Sequence, residues 1–183
     1  MGILLAFAPF IVFAVLDRFV GPAGALTAGA AVSALLLARD LIGSRRSIKI
    51  LETGTFILFF GLALYTVLSG ANWSVIGVRL CVDAGLLAVV LASMAAGRPF
   101  TLQYAREQVS PQLWDRPEFI RINYVITSAW ALAFLVMVAA EMALLFIPVL
   151  PPRAGIVTII LALVGAVKFT GWYPEREKRQ VAD

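Results

Sequence analysis

Three ionisable side chains sit where an apolar chain can least accommodate them: Arg79, Asp83 and Glu141. Arg79 and Asp83 are four residues apart, so a helix places them on one face. Arg79 falls roughly one turn, and Asp83 roughly two, from the end of its apolar run; Glu141 falls about two turns from the end of its own, near Pro148. At about 1.5 Å rise per residue the two carboxylates come to similar depth. Asp17 and Arg18, which end the first apolar run, are placed to contribute from the same side. Charges at such depth are expensive and mark functional or structural sites.

Two carboxylates with one guanidinium leave one excess negative charge, which a proton, an ion or a lipid headgroup could neutralise. Two readings of Arg79, Asp83 and Glu141 compete. In one, Arg79 is shared between the carboxylates and fixes helix register, so that Asp83→Asn is expected to destabilise the fold. In the other, the cluster is an outward-opening polar site for transport or conduction. On the opposite side Glu52 and Lys168 form a candidate inner pair, with Lys168 able to snorkel towards the headgroups.

Catalysis is not expected. Paired carboxylates can serve general acid–base chemistry, but no nucleophile, metal set or phosphate cradle accompanies them. The chain has no histidine, which excludes histidine-ligated haem, histidine metal sites and Ser-His-Asp hydrolysis. Its single cysteine, Cys81, allows neither an internal disulfide nor a CxxC redox pair. No P-loop, dinucleotide fingerprint or HExxH motif occurs. Neither metal nor cofactor is expected.

The elements that hold these residues follow from composition. Of 183 residues 61% are hydrophobic and 14% charged, against about 25% charged in a soluble domain; the mean hydropathy is +0.93. A spanning helix takes about 20 apolar residues. The runs predict an all-α polytopic membrane protein with six spans, at about 2–16, 23–38, 51–68, 75–96, 122–147 and 155–173. Residues 1–173 are read as one transmembrane domain and 174–183 as a charged tail. The N-terminus lacks the basic start and small-residue cleavage site of a secretory signal.

Lys and Arg set the orientation. Connections 39–50 and 97–121 and the tail carry Arg39, Arg45, Arg46, Lys49, Arg98, Arg106, Arg116, Arg121, Arg176, Lys178 and Arg179, whereas the alternate connections carry only Arg18 and Arg153. The positive-inside rule then predicts both termini in the cytoplasm. The net charge of +4 reflects this flanking pattern, and no nucleic acid is expected.

Helix packing in lipid relies on small residues. Gly21, Ala25, Gly29 and Ser33 form one stripe at steps of four, and Ala84, Ala88, Ala92 and Ala96 a second. The simplest role is internal packing; the alternative is a groove for a partner helix or lipid chain. Connection 97–121 interleaves Arg98, Arg106, Arg116 and Arg121 with Phe100, Tyr104 and Trp114. That mixture predicts a segment in the inner headgroup layer, with its rings in the acyl boundary and its arginines on anionic phosphates.

Within 97–141, Arg98-Pro99, Pro111, Trp114, Asn123, Trp130-Ala131 and Phe134 resemble the intracellular septation protein A-like family of small bacterial inner-membrane proteins. The match covers about a quarter of the chain. The chain departs from that family in a longer, more aromatic inner loop and in Glu141, where a neutral polar residue is expected. The resemblance implies a bacterial inner-membrane location and a role in the cell envelope, without a substrate. The expected function is a non-enzymatic scaffold or accessory partner of a membrane complex, with a protein partner or a second copy. The alternative is a small transporter or proton- or ion-conducting protein using the outer charge cluster.

Overall fold

In the computed structural model the described residues are 2–42, 48–147 and 149–182, the last five without their side chains. Arg45, Arg46 and Pro148, and the side chains of Lys178 and Arg179, lie outside them. All regular structure among the described residues is helical: α1 (Gly2–Ala6), α2 (Ala8–Ile42), α3 (Ile50–Ser69), α4 (Val75–Ala95), α5 (Phe100–Arg106), α6 (Pro117–Phe146) and α7 (Pro152–Ala182), with a short 3-10 turn at Pro111–Leu113. Five of these, namely α2, α3, α4, α6 and residues Pro152–Glu177 of α7, are long and apolar enough to cross a membrane. The chain forms two compact units, Met1–Val89 and Val90–Asp183.

In the first unit α2 is not one rod. Gly21 has φ 74 and ψ 174, a region essentially closed to residues with a Cβ. Pro22 then opens the next helical segment, where a missing N–H is harmless. Phe59 demonstrates the consequence. Its ring lies 5.7 Å from that of Phe13, and a methyl group at Gly29 would fall 2.6 Å from its Cδ1. Residues 13 and 29 of a straight helix would be about 24 Å apart. Both reach one ring only because the chain reverses at Gly21, making arms 8–20 and 22–42. The expected runs 2–16 and 23–38 thus fall largely in one continuous element, Ala8–Ile42, that turns at Gly21-Pro22.

The core of this unit is Phe13, Ala25, Leu26, Ala30, Phe59, Val78 and Val82. Gly54 of α3 lies against Val89, and Gly85 of α4 against Leu58, so α3 and α4 run antiparallel in close approach.

In the second unit α6 and α7 run antiparallel over their length. Arg121 meets Glu177 at one end, Trp130 meets Thr170 midway, and Leu144 meets Gly155 at the other end. Helices of 30 and 31 residues are about 45 Å long, well beyond the roughly 30 Å hydrocarbon layer. Helix α7 continues through Pro174 into the charged segment 174–183, as far as Ala182.

Candidate functional site

The best-built ionic site in the first unit lies beside the Gly21 turn. Arg79 Nη2 and Nε both donate to Oδ2 of Asp17, at 2.9 and 3.2 Å. Asp17 is 3% exposed, and about a quarter of the Arg79 side chain is exposed. Asp17 was expected only as an outer contributor; it is the residue that takes the arginine. Asp17 lies four residues before the turn, and Arg79, near the start of α4, reaches it there. Arg18, the next residue, is exposed.

Asp83 stands one turn further along the same face of α4 and is 8% exposed. Among the described residues no hydrogen bond or ion pair within 4 Å holds it. Its relation to Arg79 is therefore through space along the helix, not the direct pair expected from the i, i+4 spacing. Oδ1 of Asp17 is also buried without a hydrogen-bond partner among the described residues. Nearby, Trp73 Nε1 donates to Thr66 Oγ1 at 2.7 Å, and Thr66 donates to the carbonyl of Leu62. Asp17 and Arg79 are thus joined by contact, and Asp83 stands one helical turn from Arg79 on α4. Glu141 is buried in α6, within the second unit.

The opposite end of the first unit carries a second charge network. Arg39 donates to Asp40 Oδ1 at 2.8 Å, Lys49 donates to Asp40 Oδ2, and Lys49 lies 3.5 Å from Glu52. Arg39 lies 3.9 Å from Glu52. Glu52, expected opposite Lys168, is thus engaged by Lys49 and Arg39, while Lys168 is exposed on α7. Sequence reasoning counted Lys49 as an orienting loop charge, yet it is buried. Asp40, the one acid in that basic connection, was the available signal.

The two small-residue stripes part company. Ala25, Gly29 and Ser33 are buried, with Gly29 against Phe59. Gly21 does not pack; a Cβ there would meet open space, and its role is the turn. Ala84, Ala88, Ala92 and Ala96 are all exposed, so that stripe is not used in the internal packing expected of it.

Connection 97–121 is also different from its expected form. Phe100 and Tyr104 are buried, 0% and 2% exposed, and meet edge to face. They are core residues and not rings inserted into lipid. The reason is polar as well as apolar. Ser93 Oγ accepts from the Phe100 N–H, and Thr101 Oγ1 joins Thr127 Oγ1 at 2.7 Å and the Asn123 carbonyl at 2.9 Å. The first bond ties the start of α5 to the end of α4, and the Thr101 bonds fasten α5 onto α6. Arg106 lies over the Trp114 ring at 5.5 Å and 3.8 Å from Asp115. Arg98, Arg116 and Arg121 remain exposed, with Arg121 on Glu177 at 3.1 Å.

Among the described residues no group of three or more His, Cys, Asp or Glu side chains is placed to hold a metal ion. No family model matches the chain, and neither a curated protein nor a solved structure matches it.

Proposed function

We propose that this chain is a six-pass integral membrane protein that acts without catalysis as a scaffold or accessory partner in a membrane complex. Both termini stand on the basic, cytoplasmic side. The Gly21 reversal supports six passes, because it turns the longest apolar helix into two arms. The observation that carries the accessory role is the contrast between the two small-residue stripes. Ala25, Gly29 and Ser33 are buried, with Gly29 against Phe59, whereas Ala84 and Ala88 lie exposed on α4. In lipid, where apolar surface alone drives no association, smooth small-residue faces are what allow a second helix close. A location in the bacterial inner membrane, in envelope-related work, rests on the septation-protein-like features of 97–141. Arg98 and Arg116, exposed within that segment, would meet anionic headgroups at the inner face.

The test is gentle extraction from native membranes and native mass spectrometry of the wild type and of Ala88→Leu. The expected result is a complex of fixed stoichiometry that the leucine dissociates while the melting temperature of the isolated chain is unchanged. Recovery of the wild type as a lone chain carrying only lipid would overturn the reading.

A further inference from the structure

We propose that Asp17, Arg79 and Asp83 form a binding site for one monovalent cation, a proton or Na⁺, held on the carboxylate oxygens that Arg79 leaves open. The inference goes beyond the scaffold reading and does not depend on it.

The geometry of the arginine is the starting point. Both of its donors go to the same oxygen, Oδ2 of Asp17. Oδ1 of that carboxylate is left buried without a hydrogen-bond partner among the described residues. An acceptor sealed in this way loses its solvation with nothing in return. Asp83, one turn along the same face of α4, is more than nine-tenths buried and has no hydrogen bond or ion pair among the described residues. One guanidinium thus holds one carboxylate by contact and has a second, unpaired carboxylate one helical turn away on α4.

Charge and space together define the class of ligand. The cluster is neutral only with one added positive charge, so a divalent ion would overshoot. Val78 and Val82, the chain neighbours of Arg79 and Asp83, pack with Phe13 in the apolar core and are 0%, 1% and 3% exposed, surroundings that favour a small ion over an organic cation. The other elements packed there, arm 22–42 and α3, bring Ala25, Leu26, Ala30 and Phe59 to the core and Thr66 to the polar end, and no further charge. Arg18 is exposed next to Asp17. What remains is a small monovalent cation accepted by carboxylate oxygen, and both a proton and Na⁺ have that chemistry.

The experiment follows thermal unfolding of the full-length chain in nanodiscs of neutral lipid. One arm varies pH in Na⁺-free choline buffer. The other adds NaCl against choline chloride at fixed alkaline pH. The wild type is expected to melt several degrees lower at alkaline pH without Na⁺, and to recover on acidification, on Na⁺ addition, or on both; the arm that restores it identifies the ion. Asp83→Asn removes the excess charge while keeping the shape, so it is expected to melt at the recovered temperature throughout and to respond to neither ion. A wild type insensitive to both ions would overturn the proposal, and so would Asp83→Asn retaining the wild-type response. Failure of both Asp83→Asn and Asp83→Ser to fold would also overturn it, because the proposal makes the neutral site the stable one. None of these readouts concerns a partner, so the cation site and the accessory role stand or fall separately.

Discussion

At the scale of single residues, the identity of a charged group was legible and its partner was not. Arg79, Asp83 and Asp17 stand out in any hydropathy reading, because ionisable side chains in apolar runs are rare and expensive. Helical spacing alone pairs Arg79 with Asp83. The arginine instead takes an acid 62 residues away in the chain, a tertiary contact that helical spacing does not supply. The expectation for mutants inverts accordingly. Asp17→Asn should lower stability by roughly 3 kcal/mol, the low end for breaking a buried pair, since Arg79 keeps some exposure. Asp83→Asn should leave the melting temperature unchanged or raise it. Thermal unfolding of the two variants side by side checks the order, and the reverse order would restore the Arg79–Asp83 pair. Gly29 offers a separate check. Its nearest neighbour across the helix interface is the Phe59 ring, so Gly29→Val should destabilise by about 1–3 kcal/mol through overpacking. Ala88→Leu, on the exposed face, should not.

At the scale of elements, long apolar helices were readable from composition, whereas the ends and the short pieces were not. Arms 8–20 and 22–42 were separable in sequence because Gly21-Pro22 is a stop followed by a start. What hydropathy could not supply was the reversal, which needs a backbone conformation and not a side-chain pattern. Gly21→Ala places a Cβ where φ is 74 and should cost about 1–3 kcal/mol, although no neighbouring atom obstructs the new methyl group. A denaturation midpoint equal to that of the wild type would mean the turn relaxes freely. Helix α5 was the harder case. Interleaved arginines and rings suit a segment lying on lipid, and they equally suit a short helix whose rings turn inward. The deciding residue is Thr101, whose hydroxyl is committed to Thr127 and the Asn123 carbonyl. Thr101→Val should loosen that contact by about 1 kcal/mol and speed limited proteolysis between residues 97 and 121.

At the scale of the whole molecule, an all-helical membrane protein was legible from 61% hydrophobic residues, and the division into two compact units was not. Nothing in composition changes at residue 89, which falls within α4. The six-pass arrangement makes a mapping prediction: single cysteines at 18, 72 and 153, in a Cys81→Ser background, should react with a membrane-impermeant thiol reagent from outside intact cells, and cysteines at 98 and 176 only after lysis. Labelling of position 176 in intact cells would count against it. The Asp17–Arg79 pair also sets a schedule for synthesis. At about 5–20 residues per second, the 62 residues between the two partners take roughly 3–12 seconds to emerge. During that interval the first hairpin carries a carboxylate whose counter-charge has not yet been made. A nascent chain stalled before residue 79 should therefore leave the membrane or be degraded faster than one stalled after it, and the insertion machinery would be the first holder of Asp17.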